Sequence, residues 1–88
     1  MSDTTHISVV KRLKRAEGHL RSLISMIEAG SECVDVAQQL HAVENALANA
    51  KREMIHDHLN HCLEEALANG AMSAGEALQQ ARSLTKYL

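Results

Sequence analysis

The sequence has no proline, no phenylalanine and no tryptophan, a single tyrosine (Tyr87) and two cysteines. Without proline, only glycine and local capping can stop a helix. Without aromatic rings, a core has to be assembled from Leu, Ile, Val, Met and Ala, and unpaired nucleobases find no stacking platform. No apolar run approaches the roughly 18 residues that span a bilayer, and the first residues carry no apolar leader, so a cytoplasmic protein without membrane association is expected. Two cysteines at unlike positions in a reducing compartment point to a metal or redox site, or to small buried residues, before a structural disulfide. Paired acid and base groups, a nucleophile constellation and a glycine-rich phosphate cradle are all missing, so an enzyme is not expected.

What the 88 residues do contain is helix-forming sequence, and they read as one domain, 1–88. No Pro or Gly interrupts Glu32 to Ala68, which predicts one long α-helix with Ser31 as N-cap and Asn69-Gly70 as its stop. Val36, Leu40, Val43, Leu47, Ala50 and Met54 follow alternating steps of four and three, the spacing of one helix face. Three residues back along this stripe lies Cys33; two steps of four forward lie His58 and Cys62. A first helix is expected up to about Ala29, capped by Asp3 or Thr5 after a frayed start, with Ile7, Val10, Leu13, Ala16 or Glu17, Leu20, Leu23, Ile24 and Ile27 inward and Gly30 ending it. Ser73 and Glu76 form a capping-box pattern for a short third helix with Ala77, Leu78, Ala81, Leu84 and Leu88 inward. The fold class is therefore all-α, a three-helix protomer with one long central helix.

His58 and Cys62 are one helical turn apart and can grip one ion. Cys33 is 25 residues before His58, roughly 37 Å along a helix rising about 1.5 Å per residue. A straight helix cannot gather all three. An antiparallel pairing with a second copy can, and it gives two equivalent sites per dimer, each shared between subunits. Two thiolates and an imidazole are a soft, low-coordinate set suited to Cu(I); Zn(II) accepts them with a fourth ligand. Taken singly, a buried Cys or a chance His-x-x-x-Cys is the more common reading of such residues. Their placement on one stripe, with reach only through an antiparallel partner, brings the metal reading level with that one. His6 is an added nitrogen ligand if a flexible N-terminal arm delivers it, and His61 flanks the site with His56, though both step off the stripe. His19 and His41 read as ordinary polar-face residues.

Formal net charge is −2, yet five of the nine Lys and Arg residues fall between positions 11 and 21: Lys11, Arg12, Lys14, Arg15 and Arg21. A charge run is usually a solvated helix face. Its sharper reading is a patch for duplex phosphates, extended by Lys51 and Arg52.

Three stretches carry a family resemblance: Arg12-Leu13-Lys14-Arg15-Ala16-Glu17-Gly18-His19-Leu20, then Glu32-Cys33-Val34-Asp35-Val36 with Gln38-Gln39-Leu40, then His56-Asp57-His58-Leu59-Asn60-His61-Cys62. Together they resemble the CsoR/RcnR/FrmR family of small bacterial transcriptional repressors over nearly the whole chain. The Cys, then His, then Cys spacing is similar to that of its copper(I)-sensing branch. The resemblance implies an antiparallel dimer that assembles into a dimer-of-dimers homotetramer, with a trigonal site made by Cys33 of one subunit and His58 and Cys62 of the next. It further implies that the metal-free form binds double-stranded operator DNA, that the effector releases it, and that Arg12, Lys14, Arg15 and Arg52 contact DNA. Copper sensors of the family often place Tyr before the first Cys and an acidic residue on the third helix; Glu32 and Gln79 are the counterparts expected here. Ser2 departs from the N-terminal Pro of formaldehyde sensors, and His58 from persulfide sensors, which lack a His between the two Cys. Two alternatives stay open: a Ni(II)- or Co(II)-responsive repressor that adds His6, and a metal storage or chaperone bundle that does not bind DNA.

Overall fold

The computed structural model describes residues 2–70 and 72–88, apart from the Asn69 side chain, and all elements among the described residues are helical. They are α1 (Asp3–Glu28), α2 (Cys33–Glu64), a π-helical turn (Glu65–Asn69) and α3 (Ala74–Thr85).

Each boundary has a local cause. Helix α1 is capped by Ser2, whose hydroxyl oxygen accepts the Thr5 N–H at 3.2 Å. That displaces the cap expected at Asp3 or Thr5, and it makes Asp3 and Thr4 helical where a frayed start was expected; Met1 lies outside the described residues. The cause is not local: Asp57 of α2 accepts the Ser2 backbone N–H (2.9 Å), the Ser2 hydroxyl (3.3 Å) and the Thr5 hydroxyl (2.9 Å). At its other end α1 closes in a Schellman motif, with Gly30 at φ 79°, Gly30 N–H on the Ile27 carbonyl and Ser31 N–H on that of Met26. Ser31 is thereby part of the preceding turn. Glu32, without a side-chain bond, takes the N-cap position of α2 that was expected of Ser31.

Helix α2 keeps α-geometry only to Glu64, so the expected uninterrupted helix to Ala68 ends in a π turn, with Gly70 at φ 60° as its left-handed stop. Ser73 caps α3 by accepting the Glu76 N–H at 3.1 Å, as the capping pattern predicts.

The pairs Thr5–Asp57, Arg12–Glu53 and His19–Gln39 run in opposite directions along the two chains, so α1 lies antiparallel on α2. Val9, Ala16 and Leu23 are buried on α1 at steps of seven, and Val43 and Ala50 repeat that step on α2. Helix α3 folds back on the C-terminal part of α2. Ile55 and Cys62 complete the buried set, Ile55 being a core position the apolar stripe had passed over.

Much of the expected core is not covered. Ile7, Leu13, Leu20, Ile24 and Ile27 are exposed on α1, as are Leu78 and Leu88 at the end of the chain. On α2 the stripe divides: Val43 and Ala50 lie under α1, whereas Leu40, Leu47 and Met54 remain 38–42% exposed. The protomer measures 57 × 24 × 13 Å with a radius of gyration of 17.8 Å, against about 12 Å for a compact chain of this length. Its accessible surface is 6446 Å², where a compact monomer of 9.6 kDa would show about 5,100 Å². A single copy is too flat to enclose its own apolar faces.

Ile55→Ala should lower unfolding stability by about 2–5 kcal/mol, the usual cost of emptying a buried Ile site, in denaturant titrations at fixed protomer concentration. Hydrogen bonds from the Ser2 backbone, then from Thr5, hold the Asp57 carboxyl below its ordinary pKa of 3.8. Its contribution to folding is therefore complete above that value and lost as pH falls through the lowered one. Protection of the Thr5 and His6 amides, measured as exchange relative to the unstructured rate at the same pH, should hold at neutral pH and fall only in that acidic window, and Asp57→Ala should lower it throughout.

Candidate functional site

The C-terminal third of α2 places His58 and Cys62 one turn apart on the flank that α3 covers. Cys62 is buried at 4% exposure, and His58 is half-buried. Gln80 of α3 reaches both: the Cys62 thiol donates to Gln80 Oε1 at 3.0 Å, and His58 Nε2 lies 3.1 Å from the same oxygen. An amide oxygen that accepts from the thiol can only accept from the imidazole as well. Neutral His58 therefore carries its proton on Nε2, leaving the Nδ1 lone pair free for a metal. The sequence placed the third-helix counterpart at Gln79, one residue early; Gln79 lines the cavity beside His58 with Glu76, Ser83 and Leu84, while Gln80 makes the bonds. A helix step of one residue turns a side chain by about 100°, which the short α3 pattern could not resolve.

Cys33 is exposed at the opposite end of α2. Among the described residues of one protomer, no three His, Cys, Asp or Glu side chains gather to hold a metal ion. The chain itself supplies two donors at one focus and a third far away. His61 is turned to Glu65, its Nε2 3.0 Å from Oε1, on the exposed side of α2. His6 is not on a flexible arm: it sits in the first turn of α1, exposed, its backbone N–H bonded to the Ser2 carbonyl at 2.8 Å. The free thiol of Cys62 must lose its proton before it can bind a metal, and its bond to Gln80 is lost with that proton.

The basic residues lie on α1 as their numbering suggests, but they are not equally free. Arg12 Nε is 2.8 Å from Glu53 Oε2 of α2. Arg21 faces Glu17 at 3.5 Å, and Arg52 donates to the Asn49 side-chain oxygen at 3.0 Å. Among the described residues, Lys11, Lys14 and Arg15 have no carboxylate at ion-pair distance. Lys11, Arg12 and Arg15 line a shallow depression with the hydroxyls of Thr4 and Ser8, a surface that presents donors and positive charge to phosphate oxygens. No helix is long and apolar enough to cross a membrane among the described residues.

Comparison with known proteins gives this geometry a context. A family model described as "Metal-sensitive transcriptional repressor" matches residues 5–87. The copper-sensing transcriptional repressor CsoR of Mycobacterium ulcerans is 44% identical over 63 residues, 72% of this chain and 54% of that protein, so the chain spans about half the length of that relative. The copper-sensing transcriptional repressor RicR of Mycobacterium tuberculosis is 39% identical over 81% of this chain and 74% of its own. Among solved structures, the nickel-responsive transcriptional regulator InrS superposes with a TM-score of 0.85 at 30% identity, covering 99% of this chain and 92% of that one.

Gln80→Leu removes the oxygen shared by His58 and Cys62. The expected outcome is a loss of about 1–3 kcal/mol of stability from the unsatisfied donors. Nitrogen chemical shifts of the His58 ring should move from the Nε2–H form toward a mixture of tautomers, a change absent from His41, which has no such bond among the described residues.

Proposed function

The chain belongs to the family of metal-sensitive transcriptional repressors, and from this we propose that it represses transcription in its metal-free form and is released from operator DNA by Cu(I). The observation that carries the proposal is the single focus of Cys62 Sγ and His58 on α2, with a second, exposed thiol at the far end of the same helix. In an antiparallel homodimer, Cys33 of one subunit would meet His58 and Cys62 of the other and complete a two-thiolate, one-imidazole set. Such soft, low-coordinate donors suit Cu(I). The apolar stripe of Leu40, Leu47 and Met54 and the excess surface of the flat protomer support the pairing, and the exposed α1 residues support a further association into a tetramer.

The chain's own residues then do four things. Gln80 keeps His58 in the Nε2–H tautomer. Cys62 gives up its proton, and so its bond to α3, when it takes a metal. Cys33 and Cys62 supply the anionic donors that compensate the charge of Cu(I). Lys11, Arg12, Lys14 and Arg15 present the α1 face to duplex phosphates, with Arg21 and Arg52 at its margins.

A second reading, a Ni(II)- or Co(II)-responsive repressor, is favoured by the close superposition on a regulator named nickel-responsive. It needs harder, additional ligands, and His6 on α1 or His61 would have to leave its present setting to supply one. Zn(II) would likewise demand a fourth donor.

One Cu(I) per protomer should release a labelled operator duplex. Cys62→Ala should bind the duplex but no longer respond. Arg15→Ala should weaken DNA binding and reduce the slope of log affinity against log salt by about 0.9, the value of one phosphate contact. Duplex binding that persists unchanged at full Cu(I) loading would overturn the copper reading, and release by Ni(II) alone, lost in His6→Ala, would establish the other.

A further inference from the structure

Three bonds and one ion pair tie the front half of α1 to α2, and all of them converge on two carboxylates beside the candidate site. Asp57, which immediately precedes His58, holds Ser2 and Thr5. Glu53, just over one turn earlier, holds Arg12, with its Oε2 buried and without a hydrogen bond of its own, so that the 2.8 Å pair with the guanidinium is what neutralises it. The polar tie between the helices at the other end is the His19–Gln39 pair. The two anchor points at Thr5 and Arg12 fall within the segment that forms the basic depression, which runs from Thr4 through Ser8, Lys11 and Arg12 to Arg15.

We propose that Glu53 and Asp57 are positioning residues that carry the state of the His58–Cys62 site to the basic face of α1. The proposal rests on the DNA-binding reading above but concerns residues that touch neither metal nor DNA. An α-helix is stiff over such distances: Asp57 is about 1.5 Å and Glu53 about 7.5 Å along the axis from His58. When Cys62 leaves Gln80 for a metal that His58 holds through Nδ1, the turn that carries them cannot rotate or tilt without Asp57 and Glu53 moving with it. Asp57 grips α1 through directional, charge-assisted hydrogen bonds and Glu53 through a close, part-buried ion pair, so α1 must either follow or lose them. In each case the spacing of the cations relative to one another's counterparts in a second copy changes. The apolar contacts at Val9, Ala16 and Leu23 are non-directional and permit that motion without holding a particular angle.

The test uses the full chain and two readouts, with Cu(I) and Ni(II) each added alone. The first is the ratio of duplex affinity without and with metal, which in allosteric proteins is roughly 5–150-fold. The second is amide exchange in residues 3–15 with and without metal, which needs no DNA. In the wild type, metal is expected to change exchange in this segment. In the Glu53→Gln/Asp57→Ala double variant, metal should still bind with the same stoichiometry, while the exchange change disappears and the affinity ratio falls toward one. Thr5→Val, which removes one bond and leaves both carboxylates, should fall between the two and carries the test if the double variant unfolds. A double variant, or a folded Thr5→Val protein, with the wild-type ratio and the wild-type exchange change overturns the proposal. So does a wild type released from DNA with no exchange change in residues 3–15. If neither metal affects duplex binding but the exchange change occurs and is lost in the variants, the coupling stands and the repressor reading fails.

Discussion

The length of α2 is the constraint on which the rest depends. Thirty-two α-helical residues and a π turn stretch the protomer to 57 Å, while α1 and the 12-residue α3 cover only two flanks of that rod. The strip between those flanks, with Leu40, Leu47 and Met54, faces water in a single copy. The same length separates the two thiols. A shorter α2 would leave less of this strip uncovered and bring the two thiols closer together; the exposed strip and the separation of Cys33 from Cys62 have one geometric origin.

Against this non-directional packing, orientation comes from a few polar contacts. Gln80 fixes two prospective ligands to α3, and Glu53 and Asp57 fix α1 to α2. Each of these contacts can be exchanged for another: a thiol proton for a metal, an intramolecular carboxylate for a phosphate. Apolar seams of Val, Ala and Leu have no comparable alternative partner. Apolar packing and helix orientation therefore reside in different residues.

The same distinction explains what was legible in the sequence. Gly30, Gly70 and Ser73 act within a few residues of themselves, and their roles at helix ends could be read directly. The Cys33, His58 and Cys62 spacing was equally visible because it is a matter of helix rise. Ser2 as a cap was not, since Asp57, 55 residues away, is what secures it. Gln80 was missed by one position because a 12-residue helix without a buried residue has too weak a pattern to phase. The π turn has no Pro or Gly to announce it. The inward face of α1 was read too broadly: periodicity finds every apolar position on a helix and cannot tell which of them the chain itself covers. Glu53 lies on another helix, and its hold on Arg12 likewise leaves no mark in the local sequence.

That ion pair bears on how a chain of net charge −2 would engage the duplex proposed above. Lys11, Lys14 and Arg15 are the cations on α1 without a carboxylate at ion-pair distance among the described residues, so one protomer offers few phosphate contacts. Each contact contributes through counterion release, and affinity grows with their number. A lone protomer would hold a duplex weakly at physiological salt. In the proposed tetramer the patch is repeated, and linked copies raise the effective concentration of one another's contacts. The free energy of binding then depends on whether the copies match the duplex simultaneously. A modest change in the angle of α1, repeated in every subunit, would spoil that match without removing a single charge, and a small protein with few cations is the kind most sensitive to it.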